Sequence, residues 1–345
     1  MNYSLADLAK LKIHFIGIGG AGMSGIARIL LAKGFTVSGS DKNDSAVLTS
    51  LRALGATILV GHAPENITDS ELVIVSSAIN EKNSELSSAI TKGLPIAARA
   101  TALAWLMSES ISVAVAGTHG KTTTTAMLTV ALQSAGVDPS FAIGGTISAS
   151  GSNAHRGTGE YFVAEADESD GSFIEYKPFG AIVTNVEHDH VDYFATPADV
   201  TAAFQEFART ISPEGFMVYC ADDAGSSALG SGSTLREDIT VVSYGTTEGS
   251  DLYIDSINLL AMGSTARALW KGRLVGTLSL QVPGLHNVLN AGAALAMGLA
   301  LGAPAAELLA GLASFHGAGR RFELKGTVHG IRVIDDYGHH PTEIH

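Results

Sequence analysis

The stretch Ile111–Thr125, ISVAVAGTHGKTTTT, constrains this chain more than any other. It opens with an alternating, β-branched apolar run over 111–116, the pattern of a buried strand. The run breaks at Gly117-Thr118-His119-Gly120-Lys121-Thr122, followed by Thr123. Apolar residues then return at helical spacing, at Met127, Leu128, Ala131 and Leu132. A strand, a glycine turn carrying Lys-Thr and a helix make a phosphate cradle. Backbone N–H groups and the helix N-terminus face the anion, Lys121 adds a point charge, and the Thr122 hydroxyl is placed to ligate Mg²⁺. The rest of the chain has to supply what such a loop acts on.

Composition narrows the partners. A net charge of −13 argues against a nucleic-acid backbone, whose binders carry basic patches, but leaves room for a phosphorylated small molecule held locally. The single cysteine, Cys220, excludes an internal disulfide and fits a small buried residue at a strand end in a reducing compartment. No segment is long and apolar enough for a signal or membrane span, so a soluble, cytoplasmic protein is expected. The Ala- and Gly-rich run 291–303 reads as a packed core helix. At 345 residues the chain has room for two or three α/β domains.

The first of these, expected over 1–110, opens with a strand (12–18), the turn Gly17-Ile18-Gly19-Gly20-Ala21-Gly22, a helix from Met23 to Lys33 closed by Gly34, and a strand (35–40) ending at Asp41. This is the opening βαβ of a doubly wound, Rossmann-like sheet, with an acidic residue where a ribose hydroxyl is held. Taken alone the turn predicts NAD, or merely a tight strand–helix connection. Strands over 56–60 and 72–75 follow, the latter closing on Ser76-Ser77 at the carboxyl edge, where ligands bind in open α/β sheets. A short strand near 95–97 and a helix complete the unit.

The second domain, expected over 111–315, is built on the phosphate loop. Gly144-Gly145 and 149–159 read as loop. A strand at 161–164 ends in Glu165-Ala166-Asp167-Glu168-Ser169-Asp170, and another at 180–185 ends in Val186-Glu187-His188-Asp189-His190-Val191-Asp192. Either could be a solvated acidic turn. Two strands of one sheet tipped with Asp, Glu and His beside a phosphate loop favour a metal and phosphate site. Thr196 and Pro197 start an amphipathic helix, and a strand at 215–219 follows. Short strands over 237–280 suggest an antiparallel subsheet on the flank. His286 and Asn287 open the Ala-rich helix, where an amide side chain caps a helix or reads a purine edge. The pair Arg320-Arg321 reads as a phosphate-facing hinge or a surface basic pair. A strand at 330–334 then enters DDYGHHPTE, and the segment 316–345 is expected to be a hinge and the start of a third domain whose remainder is missing.

Several motifs, in this order, resemble the Mur ligase family: HFIGIGGAGMSGIA (14–27), SSAI (76–79), AGTHGKTTTTAM (116–127), EADESD (165–170), TNVEHDHVD (184–192), HNVLNA (286–291), GAGRRF (317–322) and DDYGHHPTE (335–343). The phosphate loop is two residues shorter than the general GxxxxGK[ST] form, as in these ligases and in folylpolyglutamate synthetase. The resemblance implies an ATP- and Mg²⁺-dependent ligase joining the lactyl carboxylate of UDP-N-acetylmuramate to L-alanine, the GIGGAGM loop being that of the alanine-adding branch. It replaces NAD by a UDP-sugar in the first domain. Gly20, Ala21, Gly22 and Met23 would approach the pyrophosphate, Asp41 and Ser76 the nucleotide, and Arg99 and His119 the sugar. Lys121 would bridge the β- and γ-phosphates of ATP, Thr122 and Glu168 hold one Mg²⁺, and His190 a second. His286 and Asn287 would meet adenine, Arg320 the phosphates, and His339 and His340 the alanine end. A murein-peptide recycling ligase, a folylpolyglutamate-type ligase and a non-catalytic UDP-sugar-binding protein remain as alternatives. If nothing follows His345, UDP-sugar binding with poor ligation is expected.

Overall fold

The structure, a computed structural model, describes residues 3–232, 235–319, 321, 323–338 and 340. Its first sheet consists of β1 (Lys12–Ile16), β2 (Thr36–Asp41), β3 (Thr57–Val60), β4 (Leu72–Val75) and β5 (Ile96–Ala98), all parallel, in the order β3-β2-β1-β4-β5. Ile13, Phe15 and Ile16 of β1 are buried, as a central parallel strand covered on both faces requires. The order in which successive strands are added to the sheet reverses between β1 and β4. The glycine turn after β1 and the Ser76–Ile79 turn after β4 therefore meet at that crevice, where a Cβ on Gly17 would lie 3.1 Å from Ile79 Cδ1. The helix Ala21–Ala32 starts from Gly20 and is followed by Gly34 at φ 87°, the left-handed stop expected there.

A buried carboxylate missed in the sequence braces this sheet. Glu85, fully buried on the helix Ser84–Lys92, accepts hydrogen bonds from Ser40 and Asn66 and lies 3.0 Å from His62 Nδ1. Burial pushes its pKa up, but His14, Ser40, Asn66 and His62 outweigh that and hold it at about 2. Because the folded value lies below the unfolded one, the stabilisation is present above the ordinary carboxylate range and is lost as pH falls from there toward 2. At about 1.4 kcal/mol per pH unit the displacement is worth about 3 kcal/mol at neutral pH. Denaturant titration of Glu85→Gln at pH 7 should show a loss of about that size, shrinking as the pH is lowered to 4.

The second sheet has ten strands. In chain order they are β6 (Ile111–Ala116), β7 (Ser140–Ile147), β8 (Ser152–His155), β9 (Tyr161–Glu165), β10 (Gly180–Val183), β11 (Phe216–Cys220), β12 (Thr240–Gly245), β13 (Leu252–Leu260), β14 (Gly263–Trp270) and β15 (Arg273–Leu280). Their spatial order is β15-β14-β13-β12-β11-β10-β6-β9-β7-β8. β6 lies between β10 and β9, parallel to both, with Ala116 beside Val183 and Val115 beside Glu165. The phosphate loop therefore emerges between the two strands tipped with acids and histidines. The helices Lys121–Ser134, Leu285–Ala300 and Ala305–Ala313 pack together on one face, and the Ala-rich helix is buried through most of its length. Pro197–Arg209 starts with the expected Thr196 cap, completed by Asp199. Cys220 is buried at the end of β11.

Two expectations change. Gly144, Gly145 and part of 149–159 are strand, in β7 and β8. A Cβ on Gly144 would lie 3.0 Å from the Glu165 carboxylate, and one on Gly145 would lie 2.9 Å from Thr122 Cγ2. These glycines let a strand pass close to the site and do not break it. The antiparallel strands β13–β15 are continuous with the main sheet, because β12 joins the parallel run and pairs parallel with β13. Beyond the hinge, the described residues form a two-stranded antiparallel hairpin, β16 (Glu323–Val328) and β17 (Ile331–Asp335). Among the described residues, no helix is long and apolar enough to cross a membrane.

Candidate active site

The loop after β6 is shaped by two glycines that no other residue could replace without movement. Gly117 has φ 136°, and Thr184 Oγ1 occupies the space where its Cβ would stand. Gly120 has φ 81°, with Asn290 Oδ1 in the same position. The loop is laced to the segment after β10. Thr118 N–H donates to the Asn185 carbonyl (3.1 Å), His119 N–H to Asn185 Oδ1 (2.7 Å), and Glu187 N–H to Thr118 Oγ1 (2.9 Å). Among the described residues, no side chain caps the helix that starts at Lys121, which leaves its first N–H groups to an anion. Lys121 Nζ folds back over the loop, donating to the carbonyls of Gly117 (2.7 Å) and Thr118 (3.1 Å) and pairing with Glu168 Oε1 at 2.9 Å.

Two carboxylates from the strand β9 and its turn converge here, with different partners. Thr122 Oγ1 lies 3.0 Å from both carboxylate oxygens of Glu165, which also accepts Gly144 N–H at 2.8 Å. Burial pushes the Glu165 carboxyl up, and Lys121 opposes the shift. Glu168 reaches Lys121 and, at 3.4 Å, His190 Nε2. The carboxylate in contact with Thr122 is Glu165, while Glu168, the acid expected from the sequence to share a Mg²⁺ with Thr122, contacts Lys121 and His190. Glu165 ends β9 in register with Val115, which carries it to the first helical turn, whereas Glu168 lies in the following turn, nearer the lysine. Glu168 is 1% exposed, and its Oε2 has no hydrogen-bond partner among the described residues. His190 adopts φ 52°, a left-handed conformation rare for a non-glycine residue, and its pKa is raised chiefly by Glu168.

The remaining sequence candidates fall around this centre or on the first sheet. Gly20, Ala21, Gly22 and Met23 form the start of the helix beside β1, with Met23 buried. Asp41 Oδ2 accepts the Gly19 N–H at 2.9 Å, so it holds the shape of the glycine turn. Ser76 opens the turn after β4, its carbonyl accepting Ile79 N–H at 3.0 Å. Arg99 packs on Gly22 and reaches Asp167 at 3.6 Å, joining the first glycine turn to the acids after β9. Thr123 is buried in the first helical turn. Asn287 is buried and donates to the Pro283 carbonyl at 2.7 Å, shaping the turn before its helix, while His286 is exposed beside Gly284. The His340 ring lies 4.6 Å from that of His119. Arg320 and His339 lie outside the described residues.

Asn290, missed in the sequence, accepts from Thr124 Oγ1 at 3.2 Å and backs Gly120, so the Ala-rich helix buttresses the loop. Its signal was the HNVLN spacing, which puts Asn287 and Asn290 on one helix face.

Comparison with known proteins then decides the family. The description "Mur ligase family, catalytic domain" matches residues 12–110, and "Mur ligase middle domain" matches residues 115–298. The chain belongs to the Mur ligase family. The UDP-N-acetylmuramate--L-alanine ligase of Renibacterium salmoninarum is 51% identical over 344 residues, 100% of this chain and 73% of that protein. The ligase of the same name from Acidothermus cellulolyticus is 50% identical, covering 96% of this chain and 70% of that protein. Among solved structures, the UDP-N-acetylmuramate-alanine ligase of Thermotoga maritima superposes with a TM-score of 0.84 at 33% identity, covering 97% of this chain and 76% of that one. A murein peptide ligase from Psychrobacter arcticus gives 0.81 at 30%, covering 97% and 74%. As a Mur ligase the chain is an ATP-dependent ligase of peptidoglycan precursor synthesis.

Proposed function

We propose that this Mur ligase joins the lactyl carboxylate of UDP-N-acetylmuramate to the amine of L-alanine, with ATP supplying the energy. The observation that carries the chemistry is Lys121 and Thr122 set between Glu165, Glu168 and His190, on a loop whose helix start is open to an anion. The branch rests on relatives about half identical over nearly the whole chain that carry the alanine ligase name.

Amide formation in water needs an activated acyl group. The substrate carboxylate attacks the γ-phosphorus of ATP, ADP leaves, and the alanine amine then displaces phosphate from the acyl phosphate. Two anions must meet in the first step, so charge neutralisation and in-line positioning dominate. Lys121 neutralises the β- and γ-phosphates once it exchanges its loop carbonyls for them. The loop N–H groups and helix start hold the phosphates. Asp41, by fixing the first glycine turn, keeps the backbone of 20–23 close to the UDP pyrophosphate, and Ser76 lines the same crevice. Arg99 and His119 face the gap where the sugar lies. His286 and Asn287 would meet adenine, Arg320 the phosphates, and His339 and His340 the alanine end.

The residues also fit a divalent cation. The unpartnered, buried Oε2 of Glu168 and the Thr122–Glu165 contact supply oxygen donors of the kind Mg²⁺ prefers. Thr122 and Glu165 would hold one Mg²⁺, and Glu168 with His190 a second. When bound, Mg²⁺ offsets phosphate charge. We place the UDP-sugar on residues 1–110, ATP on 111–315 and the path to the amine on 316–345.

Gly120→Ala should weaken ATP binding at least tenfold, because the new methyl group displaces Asn290 and strains a left-handed φ. Titration with a fluorescent ATP analogue reads this directly. The branch is tested by phosphate release with L-alanine, glycine, L-serine, L-glutamate and the murein tripeptide in parallel. L-Alanine should give the highest rate. A preference for the tripeptide would replace this reading by the recycling one.

A further inference from the structure

We propose that His119, Glu187 and His340 form a site for a transition-metal ion of the zinc class, separate from the Thr122–Glu165–Glu168–His190 group. One ligand atom from each of the three side chains lies within 4.8 Å of the others. His119 Nε2 is 3.6 Å and His340 Nδ1 4.0 Å from Glu187 Oε2, so one carboxylate oxygen lies within reach of both imidazoles. Around a tetrahedral ion with bonds of about 2.0–2.1 Å, neighbouring ligand atoms stand about 3.3–3.4 Å apart. Closing onto an ion therefore asks for movements of a few tenths of an ångström to about one ångström.

The donor set selects the metal. Two imidazoles and one carboxylate suit Zn²⁺, Co²⁺ or Ni²⁺, whereas Mg²⁺ and Ca²⁺ favour oxygen alone. Three protein ligands leave a fourth position for water or a phosphate oxygen, and Glu187 and His340 are both partly open to solvent. Two of the ligands stand on a braced scaffold. The His119 carbonyl accepts from Thr184 Oγ1 (2.6 Å) and Asn185 Nδ2 (3.1 Å), and Glu187 is held through its main chain by Thr118. The third comes from the turn after β17, where Gly338 N–H bonds Asp336 Oδ1 at 2.6 Å. An ion here ties that turn to the phosphate loop, so metal occupancy bears on the segment that follows the hinge.

The test uses the untagged protein in excess Mg²⁺, with Zn²⁺ competed against a chromogenic chelator and Co²⁺ followed by its visible spectrum. We expect one Zn²⁺ per chain at micromolar affinity and Co²⁺ bands of a four- or five-coordinate site. Glu187→Gln and His340→Ala should each weaken binding at least tenfold, and His190→Ala should leave it within twofold. His340 lies outside both main sheets, so its variant keeps the folded core. Zinc bound no tighter than about 100 μM overturns the proposal, as does binding lost with His190→Ala yet retained with His340→Ala.

Discussion

Replacing Lys121 by alanine is expected to lower ligation by roughly a thousandfold or more while UDP-sugar binding remains measurable. The ammonium group of this lysine lies inside the phosphate loop, on the carbonyls of Gly117 and Thr118. Its charge is partly offset by Glu168 in this structure. Bound phosphates compete for it, and the barrier to joining two anions rises when it is gone. The crevice at β1 and β4 proposed for the UDP-sugar belongs to the other sheet, so the loss should fall on kcat and on ATP affinity. Calorimetric UDP-sugar titration alongside a turnover assay separates these effects. Near-normal turnover in Lys121→Ala would remove the phosphate loop from the chemistry.

The second large effect is expected at Glu165. Glu165→Gln keeps the shape and the Gly144 contact but removes the charge beside the Thr122 hydroxyl. If Glu165 holds Mg²⁺ as proposed, losing its charge should lower kcat on the order of a hundredfold and raise the Mg²⁺ concentration needed for half-maximal rate. Glu168→Gln is expected to act differently, by releasing Lys121 and His190 from a shared partner. If the Mg²⁺ requirement moves with Glu168→Gln and stays unchanged with Glu165→Gln, the pairing of Thr122 with Glu168 is restored.

This exchange of acids shows where a sequence stops being informative. The phosphate loop was legible because its strand, turn and helix are contiguous and each carries its own local signal. The doubly wound first sheet was legible for the same reason, from Gly17 to Asp41. Choosing between Glu165 and Glu168 needs the register of β9 against β6, a non-local fact. Gly144 and Gly145 look like loop residues until Thr122 and Glu165 are seen to fill the space beside them. Asn290 and Glu85 act on residues far away in the chain, on Gly120 in one case and on Ser40, His62 and Asn66 in the other. The approach of His340 to His119 depends on the path beyond the hinge, which no local pattern encodes.

The central claim is that this site makes an acyl phosphate for amide formation with L-alanine. Phosphate release by the protein, with ATP, Mg²⁺ and UDP-N-acetylmuramate, in the presence and absence of L-alanine, tests it most directly. Rapid release that requires both UDP-N-acetylmuramate and L-alanine is expected, with one amide formed per phosphate. Release that ignores L-alanine, or none with any acceptor despite intact ATP and UDP-sugar binding, would contradict it.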